Sequence, residues 1–296
     1  MTVEGAAAAH LSAGLRRLPM NTRNAICAVA LATALFATPS AAQVVDFGKY
    51  PNFKGQWVRT GNPNNWIALA GPPPLTPEYQ KIFEDIQADL KAGGSGNWPS
   101  TFCVPAGMPA MMSFYDPMEM IVTPDVTYIL ISHNDDSYRR IYTDGRPWPT
   151  DVTPTFAGYS IGKWVDEDGD GKYDVLEIET RDLKLPRGYD ISGLPFHSDG
   201  QAIIKERIYL DKNDRNTLYD EITVIDHALT RPYTKLQKAT RNPNPRPVWF
   251  SDVCSENNTH IRIGNDEYYV SGDGKLMPSR KNQAPPDLSY FKQTKK

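Results

Sequence analysis

AIIKERIYLDKNDRNTLYDEITVI (Ala202–Ile225) is the stretch that decides the fold. Ala202 to Leu210 and Leu218 to Ile225 are both rich in β-branched and aromatic residues. Between them lies Asp211-Lys212-Asn213-Asp214-Arg215-Asn216, a polar turn, so the stretch reads as a hairpin. Side chains alternate faces along a strand. Leu218, Asp220, Ile222 and Val224 therefore share one face, and Ile204, Glu206 and Ile208 share another. An acid within each apolar row implies a polar-lined interior, or a ribbon solvated on both sides. If the Asp220 row points inward, that carboxylate needs a partner, because burying an unpaired charge is expensive.

Similar segments run outward from this hairpin. Met118–Val122 and Val126–Ile131 flank Thr123-Pro124-Asp125; Tyr138–Tyr142 ends at Thr143-Asp144-Gly145. Tyr159–Val165 and Tyr173–Thr180 flank an acidic loop, and Thr259–Ile263 with Tyr268–Val270 make a weaker last pair. Many short strands joined by turns, with no βαβ alternation, predict a mainly β domain. The expected architecture is an antiparallel barrel or sandwich, lipocalin-like, with one covering helix. That helix is expected over 77–92. Thr76 suits the N-cap, Pro77 the first turn, and Tyr79, Ile82, Phe83, Ile86 and Leu90 form one apolar stripe before Gly93-Gly94. Residues 43–74 are expected to be irregular apart from a short first strand at Phe53–Val58, 75–274 a single domain, and 275–296 a loose polar tail.

The start of the chain reads as an export signal. Arg23 precedes an apolar run from Ala25 to Ala37, and Pro39-Ser40-Ala41-Ala42 offers small residues for cleavage. A run of roughly a dozen residues is too short to cross a ~30 Å hydrocarbon layer. No later segment resembles a membrane span. Residues 1–42 are thus expected to be a signal peptide, with Met20 a more conventional start than Met1, and the mature chain to be periplasmic or secreted. Loss of Glu4, Arg16, Arg17 and Arg23 leaves 29 basic and 34 acidic residues in the mature chain. That mild acidity argues against a nucleic-acid partner. In an oxidising compartment Cys103 and Cys254 are expected to pair; two buried thiols are the alternative.

Asp166-Glu167-Asp168-Gly169-Asp170-Gly171-Lys172-Tyr173-Asp174-Val175-Leu176-Glu177 places acids at positions 1, 3, 5, 9 and 12 and Gly at 6. This is the EF-hand ligand pattern, in which a hard cation gathers 6–8 oxygens. Asp166, Asp168, Asp170, Asp174 and Glu177 are the candidate carboxylate ligands, with Lys172 contributing its carbonyl. The flanks read as strands, so a structural calcium ion at a hairpin tip is expected, with Glu177 free to point elsewhere. A solvated acidic turn is the alternative.

Three further groups of residues suggest chemistry. Arg139, Arg140, Tyr142, Asp144 and Arg146 concentrate guanidinium groups beside phenols, suited to an anionic substrate or to an exposed basic strand. His197, in the loop Gly193–Gly200, is a candidate acid or base with Glu206 as its orienter; a turn-bonded His is the alternative. The remaining histidines form no close spacing, so a zinc site requires distant segments to meet. Met108, Met111, Met112, Met118 and Met120 are either core fillers or soft ligands for copper. Phosphate-loop and hydrolase motifs are absent, and no nucleotide cofactor is expected.

Taken in order, several segments resemble a large family of exported proteobacterial β-rich proteins. They are Cys103-x-Pro105-x-Gly107-Met108-Pro109, Arg139 to Arg146, Ser160-Ile161-Gly162-x-Trp164, Pro195-x-His197-Ser198, Glu206-Arg207 and Cys254-x-Glu256-Asn257-Asn258. The resemblance spans roughly residues 100–260 and carries no activity. It implies one β-rich domain, and one pocket surrounded by the Arg-rich strand, the His197 loop and Asn257. The acidic hairpin tip departs from the family's pattern. The expectation is an exported enzyme of lyase, isomerase or hydrolase type acting on a small acidic or aromatic substrate. A non-enzymatic binding protein and a copper-handling protein are the alternatives.

Overall fold

The structure is a computed structural model. It describes residues 46–60, 65–113, 117–133, 135–249, 251, 253–254, 258–264, 266–287 and 289. The expected signal peptide lies outside them. Asp46–Lys296 is one compact unit. Nine strands close a barrel in chain order: β1 (Gln56–Arg59), β2 (Met118–Val122), β3 (Val126–His133), β4 (Asp135–Tyr142), β5 (Tyr159–Val165), β6 (Val175–Arg181), β7 (Ile203–Leu210), β8 (Thr217–Ile225) and β9 (Tyr233–Arg241). A separate sheet holds β10 (His260–Ile263), β11 (Asp266–Val270) and β12 (Leu276–Pro278).

The expected barrel is present, with one refinement. Every neighbouring pair is antiparallel except β4 and β5, which run parallel through Ile141↔Ser160 and Tyr142↔Ile161. The odd strand number requires this, because alternating directions cannot close a ring of nine. A parallel pair needs a crossover connection, and residues 143–158 supply it. Closure is made by β1 against β9, pairing Trp57 with Arg241 and Arg59 with Ala239.

The short first strand forms as β1, shifted to Gln56–Arg59, and the tail expected to be loose also takes part in a sheet. Within 43–74, β1 completes the barrel. Short α1 (Trp66–Ala70) packs on β9 and inserts its buried Trp66 between Tyr189 and Tyr233. In the tail, β12 pairs with β11 through Tyr269↔Met277. Helix α2 (Pro77–Lys91) forms where its cap predicts, with Thr76 Oγ1 accepting from the Tyr79 amide at 3.4 Å. Its apolar stripe is only partly covered: Tyr79 is buried and Ile82 is exposed. It runs beside the 184–198 segment, where Gln87 donates to the Ser192 carbonyl at 2.7 Å.

The barrel is filled. Trp57, Met108, Ile129, Ile131, Leu176, Ile204, Ile208 and Ile222 pack inside it, together with the buried 3₁₀ turn Ala110–Ser113. Arg187 fastens the approach to that turn, donating to the carbonyls of Ala106 (2.6 Å), Met108 and Phe156 (3.0 Å). Gly107, at φ +64°, lies against the Phe156 carbonyl, where a Cβ would collide. Met108, Met111, Met112 and Met120 are buried, the use a close-packed core makes of a flexible thioether.

Candidate functional site

The interior carries charge as well as hydrocarbon. Arg139 on β4 and Glu206 on β7 meet as a buried, two-point ion pair, with Nη1 donating to Oε1 at 2.8 Å and Nη2 to Oε2. Ser160 Oγ accepts from Arg139 Nε at 3.2 Å, and Thr180 Oγ1 from Nη2 at 2.8 Å. Asp220 and Lys235 are buried in the same interior. Lys235 Nζ donates to Ser113 Oγ and stands 4.4 Å from the Trp66 ring centre. Burial lowers its pKa to about 8, opposed by the Asp190 and Asp220 carboxylates. Neither oxygen of Asp220 has a hydrogen-bond partner among the described residues. Burial, and then Glu206, push its pKa well above the ordinary carboxylate value. A void of about 20 Å³ adjoins it, room for roughly one water.

This corrects two expected roles. Glu206 does not orient His197, since both its oxygens are taken by Arg139. Arg139 does not reach a substrate, because strand alternation turns it inward while Arg140 points out. Arg140 bonds the Tyr128 hydroxyl at 3.3 Å on the exposed face. Arg146 lies 3.7 Å over the Tyr142 ring and pairs with Asp144 at 2.6 Å. Tyr142 stacks on Tyr159 at 5.1 Å. On the exterior, Tyr142, Asp144 and Arg146 hold together while Arg140 pairs with Tyr128, without Arg139 or His197. Asn257 lies outside the described residues.

A cleft of about 750 Å³ lies beside α2, near the His197 loop. One wall is Tyr79, Ile82 and Ile86 of the α2 stripe, of which Ile82 is exposed. Facing it are Phe102, Val104, Phe156, Leu185, Pro186 and Phe196. Its charged lining residues are Lys184, Arg187 and Arg262, all positive. Arg187 is committed to carbonyls, which leaves Lys184 and Arg262, both exposed, to face a ligand. Arg262 lies 4.4 Å over the Phe102 ring, and Lys184 5.1 Å from the Phe156 ring centre. The expected cysteine pair is at disulfide distance, with Cys103 and Cys254 Cα atoms 5.4 Å apart, and Cys103 sits between the lining residues Phe102 and Val104. The volume is in the range of small-molecule sites, and its mix of apolar wall with few polar groups is typical of them.

At one edge of the cleft, His197 packs 5.0 Å from the Tyr79 ring, and the Tyr79 hydroxyl accepts from the Ser198 amide at 3.0 Å. His197 Nδ1 lies 3.0 Å from Asp199 Oδ2, and His227 Nδ1 lies 2.6 Å from the same oxygen. His227 holds the Asp199 carboxyl down at about 2, and Asp199 in turn raises the His227 pKa. Sequence reading isolated His197 but not its partners. A sequence separation of 29 hid a contact in which the Asp226 carboxylate accepts from the His197 amide at 3.0 Å.

In the acidic loop, carboxylate oxygens of Asp166, Asp168 and Asp174 lie within 4.8 Å of one another. Asp166 also accepts from Gly169 (2.7 Å) and Gly171 (2.9 Å), and Asp170 accepts from the Lys172 amide at 2.8 Å. Glu177 does not join them. It sits on the outer face of β6, where its register neighbours Lys163 (2.9 Å) and Arg207 (3.6 Å) hold it.

Against models of protein families, characterised proteins and solved structures, the chain has no match.

Proposed function

We propose that this chain is an exported binding protein for a small apolar or aromatic anion, held in the cleft beside α2. One observation carries the reading: the walls are apolar, and every charged side chain among the lining residues is a cation, on a chain whose net charge is −3. An aromatic or aliphatic body would fill the volume, and its acid group would pair with Lys184 and Arg262. Carboxylate, sulfonate and phosphate heads all suit guanidinium recognition.

Export and membership of the proteobacterial family belong to the same proposal. The cysteine pair agrees with an oxidising compartment, and no helix among the described residues is long and apolar enough to cross a membrane. A calcium ion at Asp166, Asp168 and Asp174 is a further part of it, in a structural role.

The test uses 8-anilinonaphthalene-1-sulfonate as a fluorescent probe and a panel of aromatic and fatty carboxylates as competitors. Saturable probe binding is expected, with displacement by at least one carboxylate. Lys184→Ala and Arg262→Ala should each weaken it several-fold, and Ile82→Glu should abolish it. Binding indifferent to both cations would sink the reading. Turnover of a bound carboxylate, lost in His197→Ala with affinity kept, would make the chain an enzyme instead.

A further inference from the structure

We infer that His197, Asp199 and His227 form a site for a divalent transition-metal ion of the zinc type. The three donors come from two connections, the loop before β7 and the link between β8 and β9. Their ligand atoms lie within 4.8 Å of one another, and two imidazole nitrogens approach a single carboxylate oxygen at 3.0 and 2.6 Å. A tetrahedral ion with bonds of ~2.0–2.1 Å needs donors about 3.3 Å apart, so both histidines, now 3.0 and 2.6 Å from the carboxylate oxygen, would move outward by less than an ångström to take one. Two histidines and a carboxylate, with the remaining position open, are a frequent donor set for such ions.

The hydrogen bonding supplies an independent reason. His197 Nδ1 also receives the Asp199 backbone N–H at 3.2 Å, so it presents a lone pair. That lone pair then faces the lone pairs of Asp199 Oδ2 at 3.0 Å. A cation between nitrogen and oxygen satisfies both acceptors. The frame around the site is fixed. Asp226 Oδ1 accepts from the His197 amide (3.0 Å) and the Ala228 amide (2.9 Å), tying both histidine-bearing segments together. Asp226 is itself buried, so this frame is packed away from solvent.

The inference does not depend on the cleft ligand. It is tested on chelator-treated mature chain without a polyhistidine tag, titrated with zinc chloride in calcium-containing buffer by calorimetry. One zinc per chain is expected, in the micromolar range or tighter. His197→Ala, Asp199→Ala and His227→Ala should each weaken binding at least about tenfold. Asp168→Asn, in the other carboxylate cluster, should leave it unchanged. Cobalt(II) should give visible ligand-field bands that His227→Ala loses. His227 is 65% exposed, so that variant should keep its circular dichroism and its melt, which separates ligand loss from misfolding. Wild type that binds zinc only in the millimolar range, or His227→Ala that binds like wild type, would overturn the site.

Discussion

Arg139 and Glu206 neutralise one another at two points inside the barrel, with Ser160 and Thr180 accepting two further bonds from the guanidinium. Both side chains are out of water, so the pair carries a desolvation cost that its own hydrogen bonds offset. Removing one partner exposes that cost. Glu206→Leu should lose about 3–5 kcal/mol in urea unfolding. The double variant Arg139→Met/Glu206→Leu should regain most of this, because Ser160 and Thr180 still bond one another at 2.8 Å. A double variant no more stable than the single would show that the pair does more than cancel its own burial.

Asp220 bears directly on pH. Its folded pKa lies above the ordinary 3.8 because burial and Glu206 disfavour the anion. Below the ordinary value both states hold the proton and there is no penalty. As pH rises, the unfolded chain ionises first, so stability falls until the folded carboxyl also ionises. Asp220→Asn carries no proton and escapes this. It should be more stable than wild type at pH 7, because it bears no cost of holding a proton as pH rises. The gain should shrink as pH is lowered toward 4. Thermal melts across pH 4–8 check it; a gain that does not change with pH would contradict the account.

The acidic loop predicts a calcium-dependent melt. A site of ~10⁻⁴–10⁻³ M, held at 10 mM calcium, contributes about 1–3 kcal/mol. For a domain of this size that corresponds to a rise in Tm of about 3–10 °C over the chelated protein. Asp166→Asn should remove the response, whereas Glu177→Gln should preserve it, since Glu177 faces Lys163 and Arg207. A melt unmoved by calcium would leave the loop as a hydrogen-bonded hairpin tip.

How far these features could be read from sequence varied with the kind of signal each carried. Where apolar and polar residues alternate in the ordinary sense, strands were legible nearly to the residue: Met118–Val122 and Tyr159–Val165 match, and Ala202–Leu210 differs by one position. Strand β9 was not legible, because its polarity is inverted. Tyr233, Lys235, Gln237 and Ala239 point in, while Leu236 is exposed. A hydrophobicity pattern cannot announce a strand whose buried face carries Lys and Gln. Those side chains fit only because a nine-strand interior also supplies Ser113 and Trp66 to receive Lys235.

By itself the sequence determined the β-rich class, the capped helix at Pro77, the cysteines available to pair, and the acid-bearing rows of β7 and β8. Each is a local property of spacing or composition. Only the tertiary structure decided which charges meet. It gave Glu206 to Arg139 rather than to His197, turned Glu177 outward, and left the α2 stripe partly open as the wall of a cationic cleft. It also brought His227 against Asp199. Period-two geometry fixes the face of a side chain, but its partner depends on barrel closure and loop path, which bring together residues far apart in the chain.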